Sequence, residues 1–172
     1  LDRFTIYFSV LIQQTKGQGC KKLHLDYTYA YSGVEINARA KHGVGFIIDP
    51  DLAKSILHIG YISERIMTIT IRENDMDTTY IQIYAPCNSA DNIEECDEFY
   101  DVISDTINRI KSGGDCFLLG DFNAHLGSDR TGVETYLGHF GDNTSQRNGN
   151  GIRLLELCNQ HDLIITNTQF QN

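Results

Sequence analysis

The stretch LLGDFNAHLG, residues 118–127, carries residue types that do chemistry. Four apolar residues, Cys116 to Leu119, run into Gly120 and the carboxylate of Asp121, and Asn123 follows two positions on. An apolar run without polar alternation, opened by Gly113 and Gly114, predicts a buried strand. Asp121 then stands where that strand leaves its sheet, a place where rigid structure holds a residue that still meets solvent. Asp121 and Asn123 would offer one charged and one neutral oxygen to a single spot. The same spacing also suits a plain turn in which Asp121 bonds nearby main-chain amides. His125 is read as a loop histidine, solvated or bonded to main chain. His42 and His139, beside glycines in loops, carry no stronger claim.

The elements that must position these residues follow from periodicity. RFTIYFSVLI alternates Phe4, Ile6, Phe8, Val10 and Ile12 and predicts a half-buried strand. HLDYTYAYS and GVGFIIDP predict two more, the latter stopped at Pro50. ERIMTITI and TTYIQIYAP alternate again, and the polar RENDMD between them reads as a hairpin loop. From Ile93 the period changes: Cys96, Phe99, Ile103, Ile107 and Ile110 fall three and four apart and define one helical face, ended by Gly113 and Gly114. A polar stretch from Ser128 to Gly149 reads as a long surface loop. A second helix with Asn150 as its cap would turn Leu154, Leu155 and Cys158 inward. DLIIT predicts one more buried strand.

The totals bound what this chain can be. Its 172 residues suit a single domain over 1–172, and 41% hydrophobic with 22% charged residues is a globular composition. No apolar run reaches the length of a membrane span, and the opening LDRFTIYFSVLIQQ lacks a small-residue cleavage site. Five cysteines form no CxxC pair and read as reduced core fillers of an intracellular protein, with a nuclear address compatible. A net charge of -9 works against nucleic acid unless the few Lys and Arg share a face. Much of the acid lies in DNIEECDEFYD, residues 91–101, which reads as the solvated side of the first helix.

The ordered motifs IQQT, HGVGFIID, SERIMTI, IYAP, LLGDFNAHLG and NGNGIRLLELCNQHDLIITNT closely resemble the endonuclease/exonuclease/phosphatase family. The likeness runs from about Val10 to the C-terminus. It is greatest to the apurinic-type endonuclease domains of non-LTR retrotransposons and to craniofacial development protein 2-like proteins. The resemblance implies an α/β fold, a four-layer sandwich of two mainly antiparallel β-sheets flanked by helices, here incomplete at both ends. It implies hydrolysis of phosphodiesters dependent on Mg2+ or Mn2+, with DNA as the partner that is nicked. In its terms Asp121 faces the attacking water, Asn123 orients the phosphate or Asp121, and Tyr84 of IYAP touches the scissile phosphate. Gln14 occupies the place of the family's metal-binding glutamate and would share the metal with Asp121. An amide oxygen can coordinate but brings no charge, so this hold is weakened. The family's C-terminal Ser-Asp-His triplet does not occur, nor does the asparagine-bearing strand expected upstream of IQQT. Two alternatives stand beside the endonuclease: a catalytically inactive remnant or binding module of the same fold, and a phosphatase of the family acting on a small phosphoester. The acidic balance favours the phosphatase over DNA.

Overall fold

A computed structural model of the chain describes residues 15–39, 41–110, 114–141 and 146–171. The strand expected over RFTIYFSVLI, and Gln14 after it, lie outside these residues. Two compact units are formed, Leu1–Tyr84 with Arg109–Asp121, and Ala85–Asn108 with Phe122–Asn172.

The first unit is built of two sheets. Strands β1 (Gln18–Lys22), β2 (Thr28–Gly33) and β3 (Gly43–Ile48) form an antiparallel sheet in that order. Strands β4 (Ile56–Tyr61), β5 (Ile66–Glu73), β6 (Met76–Tyr84) and β7 (Asp115–Asp121) form the other, antiparallel except for the parallel pair β6 and β7. Alternation decides what faces inward. In β2, Thr28, Ala30 and Ser32 are buried while Tyr29 and Tyr31 are half-buried. Ala30, Val44, Phe46 and Ile48 of the first sheet join Met67, Ile69 and Ile71 of the second, with Leu52, in one apolar cluster. The sheets therefore face each other across a shared core, as the sandwich reading expects of an α/β chain. Each of these side chains larger than alanine contributes about 1.5–3 kcal/mol of gross burial.

Several local readings change. The hairpin between β5 and β6 closes on two residues only, Asn74 and Asp75, both with positive φ (49° and 63°). RENDMD is thus mostly strand, with Arg72 and Asp77 paired across the ladder at 2.6 Å. DLAKS is a 3-10 turn at Leu52–Ser55. The strands β1 and β4 carry no periodic signal: β1 is polar, exposed and at the edge of its sheet among the described residues, and β4 has a register shift between Ile56 and His58. The run Cys116 to Leu119 is not a buried strand. β7 is the edge of its sheet among the described residues, with Phe117 48% exposed and Cys116, Leu118 and Leu119 half-buried.

The second unit holds α2 (Gly149–His161) and all but the last two residues of α1 (Ile93–Ile110). On α1, Cys96, Phe99, Tyr100, Ile103, Thr106 and Ile107 are buried, while Glu94, Glu95, Asp97, Glu98 and Asp101 are exposed, as the period and the charge run predict. The cap of α2 is Asn148 rather than Asn150, which sits inside the first turn and is fully buried. Leu154, Leu155 and Cys158 are buried as expected. DLIIT forms no strand. Asp162 turns left-handed (φ 54°) and the Leu163 amide donates to the Cys158 carbonyl, so these residues end the helix. Beyond them Ile164 is 59% exposed, and Ile165 makes a single bridge to Leu137. Of the cysteines, Cys96 and Cys158 are buried, Cys116 is half-buried, and Cys20 and Cys87 are exposed rather than core fillers. Among the described residues no helix is long and apolar enough to cross a membrane.

Candidate active site

Parallel pairing of β6 with β7 sets Tyr84 opposite Asp121, each the last residue of its strand. Both side chains are half-buried. The connection between the two strands runs through α1, so the pair lies at the C-terminal ends of a β-α-β segment, where such folds place their chemistry. Gly120 is demanded there by two constraints. Its φ is +131°, and a Cβ would collide with the carbonyl oxygen of Ile83, its register partner on β6. The glycine of the GDFN motif thus lets the carboxylate strand close tightly onto the tyrosine strand.

Tyr84 is surrounded by groups to which the sequence assigns no role. Its amide donates to the Arg65 carbonyl at 2.9 Å, and Arg65 Nη1 returns a hydrogen bond to the Tyr84 carbonyl at 3.1 Å. The guanidinium lies 5.4 Å from the centroid of the Tyr84 ring, within cation–π range. Arg65 Nη2 is 3.2 Å from His42 Nε2. A guanidinium only donates, so in this contact the ring nitrogen is the accepting partner. The His42 ring meets the Tyr84 ring edge-on at 6.3 Å. Arg65 heads a strand and His42 precedes a glycine-rich one, positions with no periodic signature.

Three asparagines organise the second unit around the remainder of the motif. Asn123, left-handed at φ 46°, donates its side-chain amide to the Ala85 carbonyl at 2.7 Å. Asn148 Oδ1 accepts from the His125 amide (3.0 Å) and the Gly151 amide (2.8 Å), and Asn148 Nδ2 donates to the Asn123 carbonyl (3.0 Å). Asn150 Nδ2 faces the carbonyls of Pro86 (2.9 Å), Phe122 (3.3 Å) and Asn123 (3.4 Å). The paired NGNG of the sequence signals this device, two caps' worth of amide chemistry between glycines, but periodicity assigned the cap to the wrong asparagine. His125 enters the network through its main chain, and exposed His139 lies 3.1 Å from Arg130.

Asp121 is the last residue of the first unit, and Asn123 belongs to the second. Among the described residues no three His, Cys, Asp or Glu side chains gather as a metal cage. Magnesium keeps several waters and needs only one or two protein carboxylates when a substrate phosphate completes its shell. Asp121 meets that minimum; a resident, fully protein-held ion would need more.

No protein-family model matches the chain. Two curated relatives share the name craniofacial development protein 2. That of Bos taurus is 29% identical over 160 residues, 93% of this chain and 26% of the relative. That of Tragulus javanicus is 27% identical over 160 residues, again 93% of this chain and 27% of the relative. The chain spans about a quarter of the length of these curated relatives and is similar along nearly all of its own.

Proposed function

We propose that the chain carries the active-site portion of a divalent-metal-dependent phosphodiester hydrolase that nicks DNA. The observation that carries this reading is the register pairing of Tyr84 with Asp121 at the ends of two parallel strands, with Gly120 shaped for that closeness. Asp121 orients and deprotonates the attacking water. The Tyr84 phenol donates to a non-bridging oxygen of the scissile phosphate and stabilises the charge that gathers there. Asp121 and Gln14 would hold Mg2+ or Mn2+, which supplies Lewis-acid polarisation of the phosphoryl oxygen when bound. The protein would act inside the cell, in the nucleus where its substrate lies. Plasmid nicking in Mg2+, compared between the wild type and Asp121→Ala, tests the reading. A loss on the order of 100-fold or more is expected for removal of a group acting on the reacting water; nicking unchanged by the substitution overturns it.

A second reading is favoured by the sequence itself, in which the neutral Gln14 stands where the resemblance expects a metal-binding glutamate. In it the chain is a remnant that keeps the fold and binds without turnover. It expects no activity from Gln14→Glu, and measurable turnover in that variant counts against it.

A further inference from the structure

We infer that Arg65 is the positioning residue of Tyr84, fixing the phenol at the end of β6 through its own contacts with His42 and with the Tyr84 main chain. For its catalytic consequence this inference rests on the phosphodiester chemistry proposed above; for its geometry it does not. Tyr84 stands one residue before Ala85 and Pro86, where the chain leaves the sheet, and a half-buried ring at a strand end is held by few ladder neighbours. Arg65 supplies what the strand does not. One nitrogen of its planar fork donates to the Tyr84 carbonyl while the same guanidinium lies over the Tyr84 ring, so one rigid group ties the side chain to its own main chain. The second nitrogen donates to His42, which immediately precedes β3. Because β3 and β5 belong to different sheets, the Arg65–His42 bond ties both sheets together beside the phenol.

The main chain of Arg65 is fixed independently. Its amide donates to Ser63 Oγ at 3.1 Å, and the Ser63 carbonyl accepts from Ser32 Oγ at 2.7 Å, again across the two sheets. Lysine could not replace this fork. An ammonium is a point charge on a flexible stem and does not make two directed bonds while covering a ring face. The consequence for chemistry is orientation: a phenol that must donate to a phosphate oxygen loses rate steeply when displaced, by on the order of 100-fold for an ångström.

The test has one arm that needs no activity. The chain is labelled with 3-fluorotyrosine, and the Tyr84 resonance is assigned by its loss in Tyr84→Phe. Arg65→Ala is expected to shift and broaden that resonance, Arg65→Lys to do so less, and His42→Gln, whose side-chain oxygen still accepts from the guanidinium, least of all. The conservative variants keep the test decisive if Arg65→Ala does not fold. The second arm is nicking. Arg65→Ala is expected to lower kcat by about 10- to 100-fold with KM within about threefold, and to add little when Tyr84 is already Phe, since groups acting through one another are not additive. A Tyr84 resonance indifferent to Arg65, or equal kcat losses in both backgrounds, overturns the inference. A wild type without nicking defeats the proposed function while the resonance arm still decides the role of Arg65.

Discussion

Asn148 donates its side-chain amide to the Asn123 carbonyl at 3.0 Å while its oxygen accepts from the amides of His125 and Gly151. One side chain thereby caps α2 and holds the segment that follows the Asp121 strand. Asn148→Ala removes the cap and strands two amides and a carbonyl, for an expected destabilisation of about 1–3 kcal/mol. Asn148→Asp keeps the acceptor and should recover the cap part of that loss. Urea unfolding of the three proteins, with unchanged m-values, measures both effects. If Asn148→Ala were as stable as the wild type, the network would be ornament rather than support.

Asn150 is fully buried with its amide turned toward three carbonyl oxygens. Asn150→Asp replaces those donors by a carboxylate facing the same carbonyls, so the loss at neutral pH should be about 3–5 kcal/mol, the scale of an uncompensated buried charge. Burial and carbonyl neighbours both raise the pKa of that introduced carboxyl in the fold. A group with a raised folded pKa contributes its full stability below its unfolded value, near 3.9 for Asp, and loses it as pH rises through the folded one. The variant should therefore regain stability relative to the wild type on acidification. Thermal unfolding at neutral and acid pH distinguishes this from a steric fault, which would not respond.

Gly120 can take no side chain without moving β7 away from Ile83. Gly120→Ala should cost more than about 2 kcal/mol, since strain at positive φ adds to the collision. Because the displaced residue neighbours Asp121, nicking should fall further than stability does. Denaturant unfolding and nicking rates on the same preparation show whether the two losses separate.

The placement of the candidate residues on their strands was legible because its signals are local. GDFN names a strand end, a glycine and a carboxylate in consecutive positions, and IYAP names the neighbouring strand end, so the sequence placed Asp121 and Tyr84 on strands before any pairing was known. Their adjacency is a matter of register, which no single strand encodes. Arg65 and His42 lie within the motifs SERIMTI and HGVGFIID, yet their meeting is a contact 23 residues apart between two sheets, which neither segment encodes. The partial burial of β7 escapes the sequence for a related reason: an unbroken apolar run states that both faces are greasy, not that both are covered. The two helices were legible because periodicities of three and four state their buried face directly, whereas the cap of α2 depends on which of two asparagines turns back.

Burial on α2 pushes the Cys158 thiol up from 9.0 to about 11. The thiolate is the reactive form, so Cys158 should resist alkylation at neutral pH while the exposed Cys20 and Cys87 react quickly. The same shift has a stability consequence. Folding favours the neutral thiol, so the contribution is complete below pH 9.0 and is lost as pH rises toward about 11, where the unfolded chain is already ionised. The wild type should then lose stability between pH 8 and pH 10.5 more steeply than Cys158→Ala, although the variant starts lower by about 1–2 kcal/mol for its lost packing. Urea unfolding of both proteins at the two pH values reads the difference directly, and parallel slopes would show that the alkaline loss arises elsewhere, in the tyrosines Tyr29 and Tyr61 whose phenols burial also raises.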